Sequence, residues 1–161
     1  MMITSGCQSF AHHLFLEIRM IRSIALAAVL AVGATAVLAQ GDVIAQRKDA
    51  MKKVGDATKP IGGMLKGEVK FDLATVQGAL KVYADVSKDY DKFFPATSKT
   101  GGETTAAPKI WDDMAGFKAG LGKLNSMATA ASSAIKDEAS FKAEMGKVLG
   151  NCKACHDDYR V

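Results

Sequence analysis

Apolar residues recur at spacings of three and four over four long stretches of this chain, and runs that alternate apolar and polar residues are scarce. Such spacing places the apolar residues of each stretch on one face of an α-helix. Four amphipathic helices with mostly short connections predict an all-α protein, an antiparallel four-helix bundle with up-down-up-down topology. The 161 residues, 48% of them hydrophobic, are enough for one globular domain with its own core.

Breaking and capping residues set the limits of the first two predicted helices. The first helix covers about 43–65, and Pro60 should kink it or break it locally. Asp72 is the expected N-cap of the second helix, because an aspartate side chain can accept a hydrogen bond from the first turn. We expect this helix to extend to about Lys92.

A polar segment without periodicity, residues 96–105, is the one long loop that the sequence predicts. The third helix should begin near Pro108, since proline suits a first helical turn, and fade near Ser133. The fourth helix should start around Asp137 and continue through Tyr159. The Cys-x-x-Cys-His segment at 152–156 therefore falls on the last predicted helix.

Residues 20–39 have the pattern of a secretory signal peptide, with a positive residue near the start, an apolar run and small residues at the end. Cleavage after Ala39 would release a mature chain of residues 40–161 into the periplasm. The apolar run is rich in alanine and barely reaches the ~20 residues of a membrane span, so retention as an anchor is the less favoured alternative. We assign 1–39 to an N-terminal extension and a cleaved leader, with Met20 as an alternative start.

Charge gives no indication of a nucleic-acid partner. The net charge of +4 is modest, and lysines and arginines are interspersed with acidic residues instead of forming a basic block. We therefore expect neither nucleic-acid binding nor, once the leader is removed, membrane association.

The segment Cys152-Lys153-Ala154-Cys155-His156 carries the clearest chemical signal in the chain. Two thiols separated by two residues and followed by a histidine form the attachment pattern of c-type haem, in which the thiols bond to the vinyl groups and the histidine ligates iron. On a helix these three residues fall at i, i+3 and i+4 and share one face. The pattern predicts one covalent haem c per chain, with His156 as the proximal iron ligand.

A redox dithiol and half of a zinc site are the competing interpretations of this cysteine pair. A thioredoxin-like dithiol belongs to an alternating strand and helix pattern, which is absent here, and a zinc site needs four ligands. His156 is the only other histidine or cysteine outside the leader, which contains Cys7, His12 and His13. An unprotected pair would also tend to oxidise to a disulfide in the periplasm, so haem is favoured.

The ending GNCKACHDDYR resembles the C-terminus of the cytochrome c' family, the class II c-type cytochromes, whose attachment motif lies at the end of the chain. The resemblance covers nearly all of residues 42–160 and includes the segments RKDAMKKVG, GEVKFD, FFP and PKIWDDMAGFK. It implies a four-helix bundle. It also matches Cys152, Cys155 and His156 to the family's haem-binding positions.

The resemblance leaves two branches of the family open. In high-spin cytochromes c' an apolar side chain of helix one shields an empty sixth position, which nitric oxide or carbon monoxide can enter. In the cytochromes c-556 a methionine of helix one binds the iron, and Met51 occupies that position here. PKIWDDMAGFK and the Gly-Glu-x-x-Phe-Asp turn resemble the c-556 branch, whereas Arg47 is typical of cytochromes c'. We expect Met51 to be the distal ligand, with core filling as its alternative role and Met64 as a weaker rival.

Several other side chains near the motif and the distal position carry expectations. Arg47 and Met51 lie at i and i+4, which would place the guanidinium where it could pair with a haem propionate; the alternative is a solvated surface arginine. We expect Trp111 and Phe117 to belong to the core. Lys153 and Arg160 are expected to face solvent.

The expected function is electron transfer by a low-spin periplasmic cytochrome with His156 and Met51 as axial ligands. A soft thioether favours ferrous iron and should raise the reduction potential. If Met51 does not ligate, binding of nitric oxide or carbon monoxide becomes the better hypothesis. Helix one offers no histidine or obvious buried carboxylate near Met51, so no enzyme activity is expected. Redox proteins are the expected partners, and the resemblance implies a homodimer as an alternative to a monomer.

Overall fold

A computed structural model describes residues 43–161 of the chain, with the exception of Gly101. This part contains five α-helices: α1 (43–66), α2 (Leu73–Asp89), α3 (Lys109–Asp112), α4 (Met114–Ala134) and α5 (Glu138–Tyr159). The four long helices form the predicted antiparallel bundle, in which α4 packs against both α2 and α5. The leader predicted over 1–39 lies outside the described residues. None of the helices within 43–161 is long and apolar enough to cross a membrane.

Helix α1 continues through Pro60, so the predicted local break at that residue is wrong. Proline removes one backbone donor from the helix. Ile61 and Met64, on the turn that follows, are buried in the core, and burying each side chain contributes about 1.5–3 kcal/mol to keeping the helix intact. The helix stops at Gly67, whose φ of 76° is in the left-handed region. Its N–H bonds to the Met64 carbonyl at 3.1 Å, which closes the last turn.

Helix α2 begins where the sequence predicts and ends earlier. The Asp72 carboxylate accepts a hydrogen bond from the Thr75 backbone N–H at 2.8 Å, which confirms the N-cap. The α-helix ends at Asp89 and not at Lys92, because the chain tightens there into a 3-10 turn over Tyr90–Phe93. A second 3-10 turn, Ala96–Ser98, occupies the start of the predicted loop.

The predicted third helix is divided at Asp113. This residue has non-helical backbone angles (φ −131°, ψ 56°), and its side chain accepts from the Gly116 N–H at 3.0 Å, so it caps α4 inside a continuous apolar pattern. The outer limits agree with the prediction, since α3 begins after Pro108 and α4 ends at Ala134. Asp137 caps α5 through a reciprocal capping box with Ser140, which confirms the predicted start of this helix around Asp137.

Two clusters of buried side chains fill the bundle. The aliphatic cluster joins α1, α2, α4 and α5 and comprises Ile61, Met64, Val76, Ala79, Leu80, Tyr83, Ala128, Ala131, Ile135, Phe141, Met145 and Val148. The aromatic cluster comprises Tyr90, Phe94, Ile110, Phe117 and Leu121. Its rings meet at an angle, with the Phe94 centroid 4.9 Å from that of Phe117 and 5.2 Å from that of Tyr90.

Candidate functional site

Cys152 and Cys155 lie on the last turns of α5 as half-buried free thiols. Burial raises the pKa of the Cys152 thiol, and burial together with neighbouring Cys152 and Asp158 raises the pKa of Cys155. Both side chains are therefore neutral thiols at neutral pH. The Cys152 thiol donates to the Val148 carbonyl at 3.6 Å, which directs it along its own helix.

His156 follows the cysteine pair and is exposed. The protein atoms around its ring still remove part of the ring's hydration, and this desolvation lowers the pKa of His156. The positive charge of Arg160 lowers the pKa further, and the negative charge of Asp157 opposes both effects. The neutral imidazole, which is the form that ligates a metal, is thereby favoured. As the helical spacing predicts, α5 presents Cys152, Cys155 and His156 within little more than one turn.

Met51 is half-buried on α1 and packs against the aromatic cluster. Cys155 packs against the same cluster from α5. The fold therefore brings the predicted distal residue and the attachment helix to one end of the bundle. Met64 is only 4% exposed and belongs to the aliphatic cluster, so the two methionines of α1 lie in different parts of the core.

Arg47 is buried, with 3% of its surface exposed, so the alternative of a solvated surface arginine is wrong. Its Nε donates to the Phe93 carbonyl at 2.6 Å, and its Nη atoms donate to the Ser98 carbonyl at 3.3 and 3.4 Å and to the Ser98 hydroxyl. The guanidinium carbon lies 4.3 Å from the Phe94 ring centroid and 5.2 Å from that of Trp111. Burial lowers the pKa of Arg47, and the nearby Tyr90 partly offsets this effect.

These contacts were not predicted from the sequence. They join residues separated by 46 and 51 positions, and Ser98 lies in a segment that the sequence marks only as a polar loop. No salt bridge joins Arg47 to a carboxylate within the part of the chain that the structure describes. Its pairing with a haem propionate stays a prediction.

The remaining expectations for this region are met or refined. Phe117 is buried in the aromatic cluster, and Trp111 is half-buried beside it with its indole N–H donating to the Pro95 carbonyl at 3.1 Å. Lys153 and Arg160 are exposed, as expected.

The donor set fits a covalently attached haem. Two unoxidised thiols and a histidine lie on one stretch of α5, and the aromatic cluster contacts both Cys155 and the Met51 thioether of α1. No group of three or more His, Cys, Asp or Glu side chains that could hold a metal ion occurs among the described residues.

Known protein sequences agree with this assignment. A family model described as Cytochrome C' matches residues 42–160. The chain is 56% identical over 140 residues to a cytochrome c' of Rhodopseudomonas palustris, covering 87% of this chain and 96% of that protein. It is 36% identical over 112 residues to a cytochrome c-556 of Agrobacterium tumefaciens, covering 69% of this chain and 88% of the relative.

Solved structures give the same result. The cytochrome c' of Rhodopseudomonas palustris superposes with a TM-score of 0.73 at 61% identity, covering 74% of this chain and 96% of that one. A mutant of the same protein, substituted at its first residue, a glutamine, and at a phenylalanine and a tryptophan, gives a TM-score of 0.72 at 59% identity, covering 74% and 97%. Sequence and fold therefore point to the same group of proteins.

Proposed function

Because this chain belongs to the cytochrome c' family, we propose that it transfers electrons through a single haem c bonded to Cys152 and Cys155 and ligated by His156 and Met51. Membership makes it a haem protein and not an enzyme, with covalently attached haem c as its cofactor. The observation that carries the choice of Met51 is its packing against the same aromatic cluster as Cys155.

The properties of Met51 suit electron transfer. When bound, the haem supplies a one-electron iron couple, and a thioether ligand would stabilise the ferrous state. Met51 is half-buried against packed rings, which limit both water access and side-chain movement on that side. Function is better argued from the residues of a site than from identity over a whole chain. The residue at the distal position therefore carries more weight here than the branch of the most similar relatives.

Gas binding is the second candidate function, and a specific observation favours it. The identity is 56% with a cytochrome c' and 36% with a cytochrome c-556, although the sequence features of the third helix favour the c-556 branch. Arg47 is also typical of cytochromes c'. In this alternative Met51 would be an apolar cover for the sixth position and would not ligate, and nitric oxide or carbon monoxide would bind there.

A matched pair of methionine substitutions separates the two candidates. Met51→Leu keeps the apolar volume and removes the thioether, and Met64→Leu makes the same change in the aliphatic cluster. We expect a low-spin ferric spectrum in the wild type, with the weak red charge-transfer band of methionine-ligated haem. Met51→Leu should abolish this band and speed carbon monoxide binding at least tenfold, because no ligand must leave first. Met64→Leu should do neither.

The opposite result is equally clear. A wild-type protein that is already high-spin, with a spectrum that Met51→Leu leaves unchanged, would make Met51 a core residue. Gas binding would then replace electron transfer as the function of this site.

We further propose that the chain is exported and cleaved before Gln40. In the Rhodopseudomonas palustris mutant the substituted first glutamine, phenylalanine and tryptophan have the same spacing as Gln40, Phe71 and Trp111 here. This agreement supports a mature N-terminus at Gln40. N-terminal sequencing of the protein from the periplasmic fraction tests it, and an intact chain beginning at Met1 or Met20 in the membrane fraction would contradict it.

Redox proteins of the periplasm are the partners that this function requires, and a homodimer is the assembly that the family suggests. Sedimentation of the holoprotein across a range of concentrations distinguishes monomer from dimer. Electron transfer to a candidate partner is measured by stopped-flow absorption of the haem.

A further inference from the structure

The turn that carries His156 is the last turn of α5. The helix ends at Tyr159, three residues after His156. The last turn of a helix lacks partners for its carbonyl groups and opens more readily than the interior. An iron ligand on such a turn is held only as firmly as the turn itself.

The Tyr159 side chain ties this turn to the start of α4. Its hydroxyl donates to Asp113 Oδ2 at 2.8 Å, and its ring meets Phe117 edge to face with the centroids 5.3 Å apart. The other carboxylate oxygen of Asp113 accepts from the Gly116 N–H at 3.0 Å. One carboxylate thus joins the haem-attachment helix to the cap of another helix. We call Asp113, Gly116 and Tyr159 the C-terminal clasp.

Backbone contacts extend the same attachment on either side of Tyr159. The Ala107 N–H donates to the Tyr159 carbonyl at 3.0 Å, and the Val161 N–H donates to the Thr105 carbonyl at 3.0 Å. Between them Arg160 forms an antiparallel bridge with Ala106. The final residues therefore pair with the segment that precedes α3.

The clasp accounts for two features that the sequence pattern left unexplained. The interruption at Asp113 separates α3 from α4 and places the carboxylate where it meets both Tyr159 and Gly116. A Cβ at position 116 would clash first with Asp113 Oδ2 and would lie 2.6 Å from the Tyr159 hydroxyl oxygen, closer than nonbonded contact allows, so the carboxylate and the hydroxyl fit together because residue 116 is glycine.

We propose that Tyr159, acting through Asp113, is a positioning residue that holds the last turn of α5 in place and thereby fixes the orientation of His156 toward iron. The inference rests on the proposed role of His156 as the proximal ligand. It adds that the orientation depends on a hydrogen bond to α4, and not on α5 alone.

A single hydroxyl removed at each end of the bundle tests this. Tyr159→Phe keeps the ring and removes the bond to Asp113, while Tyr83→Phe removes a bond of the same 2.8 Å length to Thr58 in the aliphatic cluster region. Amide hydrogen exchange in the holoprotein is followed at Arg160, whose N–H donates to the His156 carbonyl at 3.2 Å, and at Val161. Tyr159→Phe should speed exchange at both amides at least tenfold, and Tyr83→Phe should leave them unchanged.

A second readout reports on the imidazole itself. The iron–histidine stretching band, recorded by resonance Raman on the ferrous haem in proteins that also carry Met51→Leu so that no thioether binds, should shift or broaden with Tyr159→Phe and not with Tyr83→Phe. Asp113→Asn retains an acceptor oxygen and should leave the band unchanged.

Each outcome decides between the assignments. An unchanged band and unchanged exchange in Tyr159→Phe, or equal changes in Tyr83→Phe, overturn the positioning role. Absence of an iron–histidine band in the Met51→Leu protein overturns the ligand assignment for His156, on which the proposal rests. A band present in that protein and altered only by Tyr159→Phe supports both.

Discussion

The aliphatic and aromatic clusters differ in what borders them. In the aliphatic cluster the large side chains of Tyr83, Phe141 and Met145 are almost completely buried, and apolar residues of four helices surround them. The aromatic cluster has five buried members, and half-buried residues border it, among them Met51, Cys155 and Tyr159. One end of the bundle is thus a core of buried apolar side chains bordered by further apolar residues, and the other is a group of aromatic rings bordered by a thioether, a thiol and a phenol.

The buried polar groups follow the same division. Arg47 and Ser98 are two of the three buried polar or charged residues in the described range, and both lie beside the aromatic cluster. A buried cation reduces stability unless its donors are satisfied, and here loop carbonyls satisfy them. The aliphatic cluster is therefore made almost wholly of buried apolar side chains, while the aromatic end also buries a cation and holds a thioether, a thiol and a phenol at its border.

The largest expected effect lies at the aromatic end. Replacing both cysteines, Cys152→Ser with Cys155→Ser, should abolish covalent haem entirely, because no thiol would remain on α5 to bond the vinyl groups. His156→Ala should leave haem tethered but differently ligated. Denaturing gels stained for haem measure both, and covalent haem on the double cysteine variant would contradict the attachment assignment.

Truncating one phenylalanine in each cluster tests whether the two clusters have separate roles in stability and in the haem spectrum. Phe141→Ala removes a ring with no exposed surface from the aliphatic cluster and should lower the free energy of unfolding by about 3–5 kcal/mol. The optical spectrum of the folded protein should not change. Phe117→Ala removes a ring that meets Tyr90, Phe94 and Tyr159 and should alter the spectrum as well as the stability.

Chemical denaturation gives the free energies, and absorption spectra give the second readout. A spectral change in Phe141→Ala as large as that in Phe117→Ala would show that the two ends are not separate. Such a result would mean that both clusters shape the haem site.

Alkaline pH provides a smaller effect, in which the ionisation of Tyr90 takes part. Burial raises the pKa of Tyr90 to about 12, and the charge of Arg47 opposes this shift. The folded protein therefore favours the un-ionised phenol. The contribution of Tyr90 to the free energy of unfolding is complete below pH ~10 and is lost as pH rises from there toward about 12. The loss amounts to ~2 kcal/mol.

Tyr90→Phe removes the ionisable group and should flatten the fall of unfolding free energy over that range, measured by circular dichroism in denaturant at several pH values. Tyr83 and Tyr159 contribute to the slope that remains, together with Lys52 and Lys92, because the pKa values of all four are also raised. Identical slopes in the variant and the wild type would show that Tyr90 does not ionise in this range.

Local sequence signals were sufficient for most of the bundle. Hydrophobic periodicity located the four helices, and Asp72 and Asp137 marked two helix starts because capping depends only on the next few residues. The attachment motif and its helical spacing also needed no tertiary information. The local break that Pro60 suggested does not occur, since burial of the following turn outweighs the missing donor.

The contacts at the aromatic end could not be predicted, because they join residues that are far apart in the sequence. Arg47 bonds to residues 46 and 51 positions away, and Tyr159 reaches Asp113 across 46 positions. No local pattern encodes such separations. The N-cap at Asp113 lies within an apolar repeat that continues past it, so periodicity merged α3 and α4 into one helix.

Two glycines of α4 provide the test with the smallest expected effect. Replacing each of them with alanine should change the free energy of unfolding in opposite directions. A Cβ at Gly120 would meet nothing within 4 Å, so Gly120→Ala should raise the free energy of unfolding by about 0.5–1 kcal/mol through helix propensity. At Gly116 the new methyl group would clash with the Asp113 carboxylate and with the Tyr159 hydroxyl bonded to it. Gly116→Ala should therefore lower the free energy of unfolding.

Combining Gly116→Ala with Tyr159→Phe separates a clash with the hydroxyl from a general intolerance at this position. Because the methyl group meets both Asp113 and the Tyr159 hydroxyl, the penalty of Gly116→Ala should shrink, but not vanish, when that hydroxyl is already absent. Denaturation of all four proteins of the cycle gives the coupling. Additive effects would mean that Gly116 and Tyr159 are independent, and the α4 end of the clasp would then have no part in holding the turn that carries His156.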